Sequence, residues 1–204
     1  MRTTVAGVLL AAGEGSRFGR PKALVEVNGR TLAERGADLL RSGGADPILI
    51  VTGAAPLRLP GTQAVDNPDW HTGMGSSLRA GLRALAGTQD VSAVVVALAD
   101  QPLVGPEAVA RLIAAYRAGA SVAVAAYDGQ PRNPVLLARE HWPEVIATAT
   151  GDTGARAFLR ARADLVTLVE CGDTGRPDDI DTPADLARVA AVLARPPDGH
   201  LPPA

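Results

Sequence analysis

Short apolar runs of strand length alternate along the chain with segments that have the spacing of amphipathic helices. Residues 5–10 are apolar without interruption, which is typical of a strand that is covered on both faces. None of the apolar runs is long enough to cross a membrane as a helix. Further strand-length runs follow in order along the chain, at residues 48–51, 91–98, 122–126, 134–137 and 165–170.

Helical signals separate these runs. Thr31 and Glu34 form a capping-box pattern at the start of a helix that ends at the Gly43-Gly44 pair. Three more helices are predicted farther along, at residues 76–86, from Pro106 onward, and from Thr182 to about residue 193.

Strands that alternate with helices predict an α/β fold with a parallel sheet. We expect one domain over residues 1–194, a three-layer αβα sandwich around a mostly parallel, Rossmann-like sheet. The pattern is less regular between residues 122 and 170, so one or two strands there are predicted to be antiparallel. Residues 195–204 are rich in proline and lack apolar periodicity, which predicts a disordered C-terminal tail.

Composition narrows the class of protein. The chain has 204 residues, a formal net charge of −2 and no basic excess, which argues against a dedicated nucleic-acid binder. Small phosphorylated ligands remain compatible, because backbone N–H groups hold phosphates without a basic surface. The start of the chain has no signal-peptide pattern, and Cys171 is its only cysteine. We therefore expect a cytoplasmic protein with no disulfide and no membrane partner.

The candidate chemistry begins directly after the first strand. Residues 10–22 read Leu-Ala-Ala-Gly-Glu-Gly-Ser-Arg-Phe-Gly-Arg-Pro-Lys, and ligands bind at the carboxyl ends of strands in open parallel sheets. Small residues let the backbone approach a triphosphate, and successive N–H groups form anion-binding nests. Arg17 and Lys22 add positive charge for the phosphates.

The spacing of this segment excludes two better-known phosphate loops. It lacks the Gly-Lys-Ser/Thr ending of a P-loop, and its third glycine comes one residue too late for a dinucleotide-binding fingerprint. On chemistry alone, an ordinary glycine-rich turn with a solvated arginine and lysine explains these residues equally well.

Asp100 closely follows the apolar run at residues 91–98, where it is either a turn residue or a metal ligand. Ser76 and Ser77, at a predicted helix start, either hold a phosphate or cap the helix, and capping is the favoured interpretation. His71 and His141 lack metal-ligand spacing and are interpreted as structural or solvated.

The stretch Gly13-Glu14-Gly15-Ser16-Arg17, followed by Pro21-Lys22-Ala23-Leu24, resembles the signature of the MobA-like nucleotidyltransferases, and in particular of the molybdenum cofactor cytidylyltransferases. The resemblance extends in order from residue 5 to about residue 193. It includes Asn67-Pro68, Trp70, Gly73-Met74-Gly75-Ser76-Ser77-Leu78, Asp100-Gln101-Pro102, Gly151-Asp152-Thr153-Gly154-Ala155-Arg156 and Asp179-Ile180-Asp181-Thr182-Pro183.

The resemblance implies a fold of the nucleotide-diphospho-sugar transferase type. It also implies Mg²⁺-dependent transfer of a nucleoside monophosphate from a nucleoside triphosphate to a phosphorylated small molecule, with release of pyrophosphate. Arg17, Lys22 and Asp100 would be catalytic, and Asp100 and Asp181 would hold Mg²⁺. The nucleotide-binding residues implied are Leu10, Ala11, Ala12, Gly13, Gly15, Ser16, Arg17, Lys22, Asn67, Ser77 and Asp100.

Alanine in the third place of the Leu-Ala-Ala-Gly stretch goes with cytidylyl transfer in the family, and glycine there goes with guanylyl transfer. Ala12 therefore leans toward CTP, although one methyl group discriminates by only ~1–3 kcal/mol.

The acceptor side of the resemblance contains one departure. Arg132, Asn133, Gly151 and Asp152 are the implied acceptor-side residues. Cytidylyltransferases usually carry Gly-His-Pro where this chain has Arg132-Asn133-Pro134, so a cation and an amide replace a contact to the pterin. A molybdopterin-type cofactor stays the first candidate acceptor, and a molybdoenzyme or cofactor-handling protein would then be a partner.

Two other classes remain open. Some similar proteins share the Asn-Pro-x-Trp stretch and a stretch like residues 169–173 and are named nicotine blue oxidoreductase, which predicts an NAD(P)H-dependent oxidoreductase as the alternative. A non-catalytic protein that binds a nucleotide or cofactor without turnover is the third.

Overall fold

Seven strands form the central sheet within the part of the chain that the computed structural model describes, residues 4–194 without the side chain of Arg17. The strands are β1 (Thr4–Leu10), β2 (Glu26–Val27), β3 (Arg30–Thr31), β4 (Ile48–Thr52), β5 (Gln63–Asp66), β6 (Val91–Leu98), β7 (Val122–Tyr127), β8 (Gln130–Ala138) and β9 (Val166–Glu170). Strands β2 and β3 pair separately as a small hairpin.

The central sheet has the order β5-β4-β1-β6-β8-β7-β9. Strand β8 runs antiparallel to both of its neighbours, and the other strand pairs are parallel. The mostly parallel sheet and the antiparallel strand between residues 122 and 170 are therefore confirmed.

Helices cover both faces of the sheet. They are α1 (Leu32–Ser42), α2 (Met74–Ala86), α3 (Pro106–Arg117), α4 (Trp142–Thr148), α5 (Arg156–Ala161) and α6 (Pro183–Leu193). Successive side chains of a strand point to opposite faces, so Leu9 packs in the core with α1 and α3, whereas Val8 packs with α2, α4 and α5. The three-layer αβα architecture is thus confirmed.

A third, smaller core joins the segment after β1 to helix α6. Val25 and Leu32, from the region of the β2–β3 hairpin, pack with the buried Ile180 and with Val189 of α6. Phe18, which follows the glycine-rich segment, packs against the same cluster. The segment after β1 and the stretch before α6 therefore share one apolar support.

Several predicted boundaries are close to the observed ones, and others differ for physical reasons. Helix α2 begins at Met74, before the predicted start, so Ser76 and Ser77 lie inside the helix and do not cap it. Strand β5 was not predicted, because it is a short edge strand without a fully buried side chain and so has no apolar run. Strand β8 is longer than predicted because its first four residues, 130–133, are mostly polar and exposed and so do not belong to the apolar run.

Within residues 4–194, no helix combines the length and the apolar character that crossing a membrane requires. The predicted tail at residues 195–204 lies outside the described residues.

Candidate active site

A cleft opens where β1 and β6 end. The two strands pair in parallel up to Leu10 and Leu98, so the segments that follow them leave the sheet side by side. The cleft has a volume of about 290 Å³. It is lined by Leu10, Ala11, Ala12, Gly13, Glu14, Lys22, Ala23, Trp70, His71, Gly73, Met74, Ser77, Leu98, Ala99, Asp100 and Asp152.

The glycine-rich segment makes a tight turn at one wall of this cleft. Gly15 has a φ of 62°, and a Cβ there would collide with the carbonyl oxygen of Arg20. Gly19 has a φ of 66° but has open space around it. Gly15 and Ser16 shape the turn without lining the cleft, and the side chain of Arg17 lies outside what the structure describes.

Replacing Gly15 by alanine is expected to weaken nucleotide binding about tenfold or more, because the added methyl group and the left-handed backbone together cost ~1.4 kcal/mol or more. Gly19→Ala is the matched control, since it carries the backbone strain without the collision. Isothermal calorimetry with nucleoside triphosphates measures both variants. Equal losses in the two variants would contradict a specific role for Gly15.

Lys22, which lines the cleft, contacts two carboxylates. Its Nζ lies 3.1 Å from Oδ2 of Asp100 and 2.6 Å from Oδ1 of Asp181. Burial lowers the pKa of Lys22, but the hydrogen bonds and charges of Asp181 and Asp100 outweigh that effect and raise it. Of the 20 lysine and arginine residues in the chain, Lys22 is the only lysine.

Local structure explains how Asp181 reaches this point from the far end of the chain. The backbone N–H of Ile180 donates to the carbonyl oxygen of Asp100 at 2.9 Å, and the Ile180 side chain is buried in the third core. Thr182 caps α6 in a capping box with Asp185. Since Thr182 has the capping role, the carboxylate of Asp181 can face Lys22.

The donor set of this cluster fits a hard divalent cation. Mg²⁺ binds through one or two carboxylates together with phosphate oxygens and water. Asp100 and Asp181 supply two carboxylates that reach one common cationic atom, Lys22 Nζ. The two residues predicted as metal ligands are therefore brought together, although they are far apart in sequence.

Asn67, one of the predicted nucleotide-binding residues, has a buried side chain that bonds to neighbouring residues. It is 4% exposed, and its amide donates to Oγ of Ser76 at 2.8 Å and to Oγ of Ser77 at 3.1 Å. Its carbonyl oxygen accepts from the backbone of Asp69. The side chain therefore supports Ser77, which lines the cleft, and the role of Asn67 in nucleotide binding stays a prediction.

Three residues that were not among the predicted nucleotide-binding residues also line the cleft. Trp70, His71 and Met74 line the cleft. The absence of a side chain at Gly53 lets Trp70 lie next to Ala12, since a Cβ on Gly53 would overlap Trp70 and lie 2.9 Å from the Ala12 Cβ. The resemblance included Trp70 and Met74, but no pattern in the sequence predicted that they line the cleft.

The predicted acceptor-side residues lie in two places. Asp152 lines the cleft and accepts from the backbone N–H of Met74 at 3.3 Å, next to Gly151. Arg132 and Asn133 are in the first half of β8, and because β8 is antiparallel to β6 they lie at the sheet edge where β6 ends. They do not line the cleft.

A parallel sheet that ends in a glycine-rich turn, with a lysine and two carboxylates beside it, has the arrangement of a nucleotidyltransferase. The chain belongs to the family described as the MobA-like NTP transferase domain, which matches residues 7–166.

Three relatives illustrate the range of the family. The chain is 41% identical to nicotine blue oxidoreductase of Paenarthrobacter nicotinovorans, over 91% of this chain and 96% of that protein. It is 33% identical to 2-C-methyl-D-erythritol 4-phosphate cytidylyltransferase of Rhodococcus opacus, over 78% of this chain and 69% of that one. It is 27% identical to molybdenum cofactor guanylyltransferase of a Shewanella species, over 95% and 98% of the two chains.

Among solved structures, the fold is similar to that of Rv0371C of Mycobacterium tuberculosis in complex with manganese. The TM-score is 0.74 at 27% identity, over 93% of this chain and 99% of that one.

Proposed function

We propose that the protein transfers a nucleoside monophosphate from a Mg²⁺-bound nucleoside triphosphate to a phosphorylated small molecule and releases pyrophosphate. The observation that carries the proposal is the contact of Lys22 with both Asp100 and Asp181 at the mouth of the glycine-rich turn. Membership of the MobA-like family supports the reaction class.

Each part of the cleft has a task in this proposal. Backbone N–H groups around Gly13 hold the phosphates, and Lys22 and Arg17 counter the charge that grows on the departing pyrophosphate. A Mg²⁺ ion held by Asp100 and Asp181 would supply Lewis acidity toward the triphosphate. The acceptor phosphate is already ionised at neutral pH, so the transfer needs no strong general base.

The acceptor is assigned to the side of the cleft where Asp152 lies. Asp152 accepts a hydrogen bond from the backbone of Met74. Arg132 and Asn133 add polar side chains in the first half of β8. A phosphorylated, pterin-type molecule is the first candidate, with CMP as the group transferred. The Ala12 methyl group lies beside Trp70 and takes up space in the cleft, which supports cytosine as the base.

An NAD(P)H-dependent oxidoreductase is the competing function, given the name of one relative. Its nicotinamide cofactor would need a dinucleotide site. The glycine spacing departs from the dinucleotide fingerprint, and a lysine between two carboxylates suits a metal-bound triphosphate instead. Neither feature calls for a redox cofactor, so nucleotidyl transfer is the function we favour.

A thermal-shift panel separates these functions. CTP, GTP, ATP, UTP, NADH and NADPH are each added with and without Mg²⁺, at concentrations far above their Kd. A ligand at 100 times its Kd stabilises the fold by roughly 2.7 kcal/mol, which raises Tm measurably. We expect CTP with Mg²⁺ to give the largest shift. A larger shift from NADH without metal would overturn the proposal, and binding of CTP without pyrophosphate release across an acceptor panel would indicate a binding protein.

The predicted preference for CTP over GTP is tested with a variant of Ala12 in the same thermal-shift panel. Ala12→Gly is expected to narrow the advantage of CTP over GTP, by no more than the ~10–200-fold that one methyl group can supply. Ala11→Gly removes the same group one position earlier on the same wall and serves as the control.

A further inference from the structure

We propose that Gln101 is a positioning residue for the metal site, because it tethers the stretch Asp179-Ile180-Asp181 and so keeps Asp181 beside Asp100. This inference rests on the proposed metal site and adds to it a residue that contacts neither the metal nor the substrate.

The tether is visible as hydrogen bonds between two neighbouring residues after β6 and the stretch before α6. Gln101 is 5% exposed, and its Nε2 donates to Oδ1 of Asp179 at 2.9 Å and to the carbonyl oxygen of Pro177 at 3.3 Å. The backbone N–H of Ile180 donates to the carbonyl oxygen of Asp100 at 2.9 Å. These hydrogen bonds therefore connect the Asp100-Gln101 pair to residues 177–180.

This stretch needs an external support. Residues 171–182, between β9 and α6, contain neither helix nor strand, so their backbone geometry is not fixed by regular hydrogen bonding. Arg176 is held through its N–H to the carbonyl oxygen of Leu103, but that bond lies farther from Asp181 than the bonds to residues 177 and 179. Gln101 supplies the side-chain bonds to residues 177 and 179, which add to the backbone bond from Ile180 to Asp100.

The chemistry of the amide suits this task. Asp100, Asp179 and Asp181 lie close enough for their negative charges to act on one another, and Lys22 contacts two of them, Asp100 and Asp181. A second ammonium or guanidinium group as the tether would add a fixed positive charge that repels a divalent cation. An amide N–H holds Asp179 without adding charge, so the metal site keeps its negative potential.

Two substitutions of Asp179 isolate the hydrogen bond from the charge. Asp179→Asn and Asp179→Ala lose the same charge, but only asparagine keeps an oxygen that accepts from Gln101. The side chain of Asp179 is exposed, so both variants are expected to fold. We expect the alanine variant to bind Mn²⁺ about tenfold more weakly than the asparagine variant, the lower end of the effect of outer-shell partners on metal affinity. Equal affinities would overturn the inference.

A charge-matched exchange tests the same contact from the other side. Gln101→Glu sets an acceptor against the Asp179 carboxylate and is expected to weaken Mn²⁺ binding at least about tenfold. Adding Asp179→Asn reverses the direction of the hydrogen bond, restores the wild-type net charge and should recover most of the lost affinity. Gln89→Glu makes the same change just before the start of β6, at the opposite end of that strand from Asp100, and should leave Mn²⁺ binding unchanged.

Electron paramagnetic resonance of free Mn²⁺ measures each Kd directly, below the Tm of each variant, so a loss of stability is not mistaken for a loss of metal. Asp100→Ala is measured alongside. If Asp100→Ala binds Mn²⁺ like the wild type, the proposed metal site itself fails. If Asp100→Ala loses Mn²⁺ but Gln101→Glu does not, or the double variant fails to recover, the site stands and the role of Gln101 is overturned.

Discussion

Asp100→Ala is expected to lower the rate of pyrophosphate release on the order of 10²–10³-fold, because it removes a charged group that acts on the developing charge of the transition state. Asp100 contacts Lys22 and follows β6 beside the glycine-rich turn. No other described residue occupies that position in the cleft. The measurement is steady-state pyrophosphate release with CTP, Mg²⁺ and a panel of phosphorylated acceptors.

Asp90→Ala is the matched control for this experiment. Asp90 is exposed and immediately precedes β6, at the opposite end of that strand from Asp100, so its loss should leave the rate unchanged. The Tm of both variants is recorded, since an effect on folding would lower it. Wild-type turnover by a folded Asp100→Ala protein would refute the mechanism.

Lys22→Met is expected to have two effects of opposite sign. Without nucleotide, the variant should bind Mn²⁺ at least about tenfold more tightly, because two carboxylates that no longer share an ammonium group attract a cation more strongly. With nucleotide and acceptor, turnover should fall by about 10²-fold or more, because a charge that faces the departing pyrophosphate is gone.

Lys22→Arg separates charge from shape in this prediction. It keeps the positive charge, so its affinity for Mn²⁺ should stay near the wild-type value, while its planar fork replaces a compact ammonium group and still impairs turnover. Unchanged Mn²⁺ affinity in Lys22→Met would show that the ion pair seen here does not compete with the metal.

The parts of the fold that the sequence predicts well are those in which local and long-range forces agree. Strand β6 is nearly all apolar because both of its faces are covered, and its predicted bounds match the observed ones. Helix α1 begins with a capping box, which the spacing of Thr31 and Glu34 predicts. Strand β5 has neither signal, so only its pairing with β4 defines it.

The features of the cleft also differ in how well the sequence predicts them. The glycine-rich turn and Asp100 follow apolar strands directly, and their proximity follows from the parallel pairing of β1 and β6. The position of Asn67 could not be predicted, because it depends on two serines that lie on the next helix and face inward. The aromatic wall at Trp70 depends on the missing side chain of Gly53, a packing effect without a local pattern.

Lys22 is the only lysine of the chain, so its one primary ε-amine lies in the cleft in contact with two carboxylates. A reagent selective for side-chain amines therefore has a single target, and labelling there would block the part of the cleft that is proposed to hold the phosphates. The same holds in a cell, where acetylation or ubiquitination of a lysine can reach this protein only through the residue on which its proposed chemistry depends.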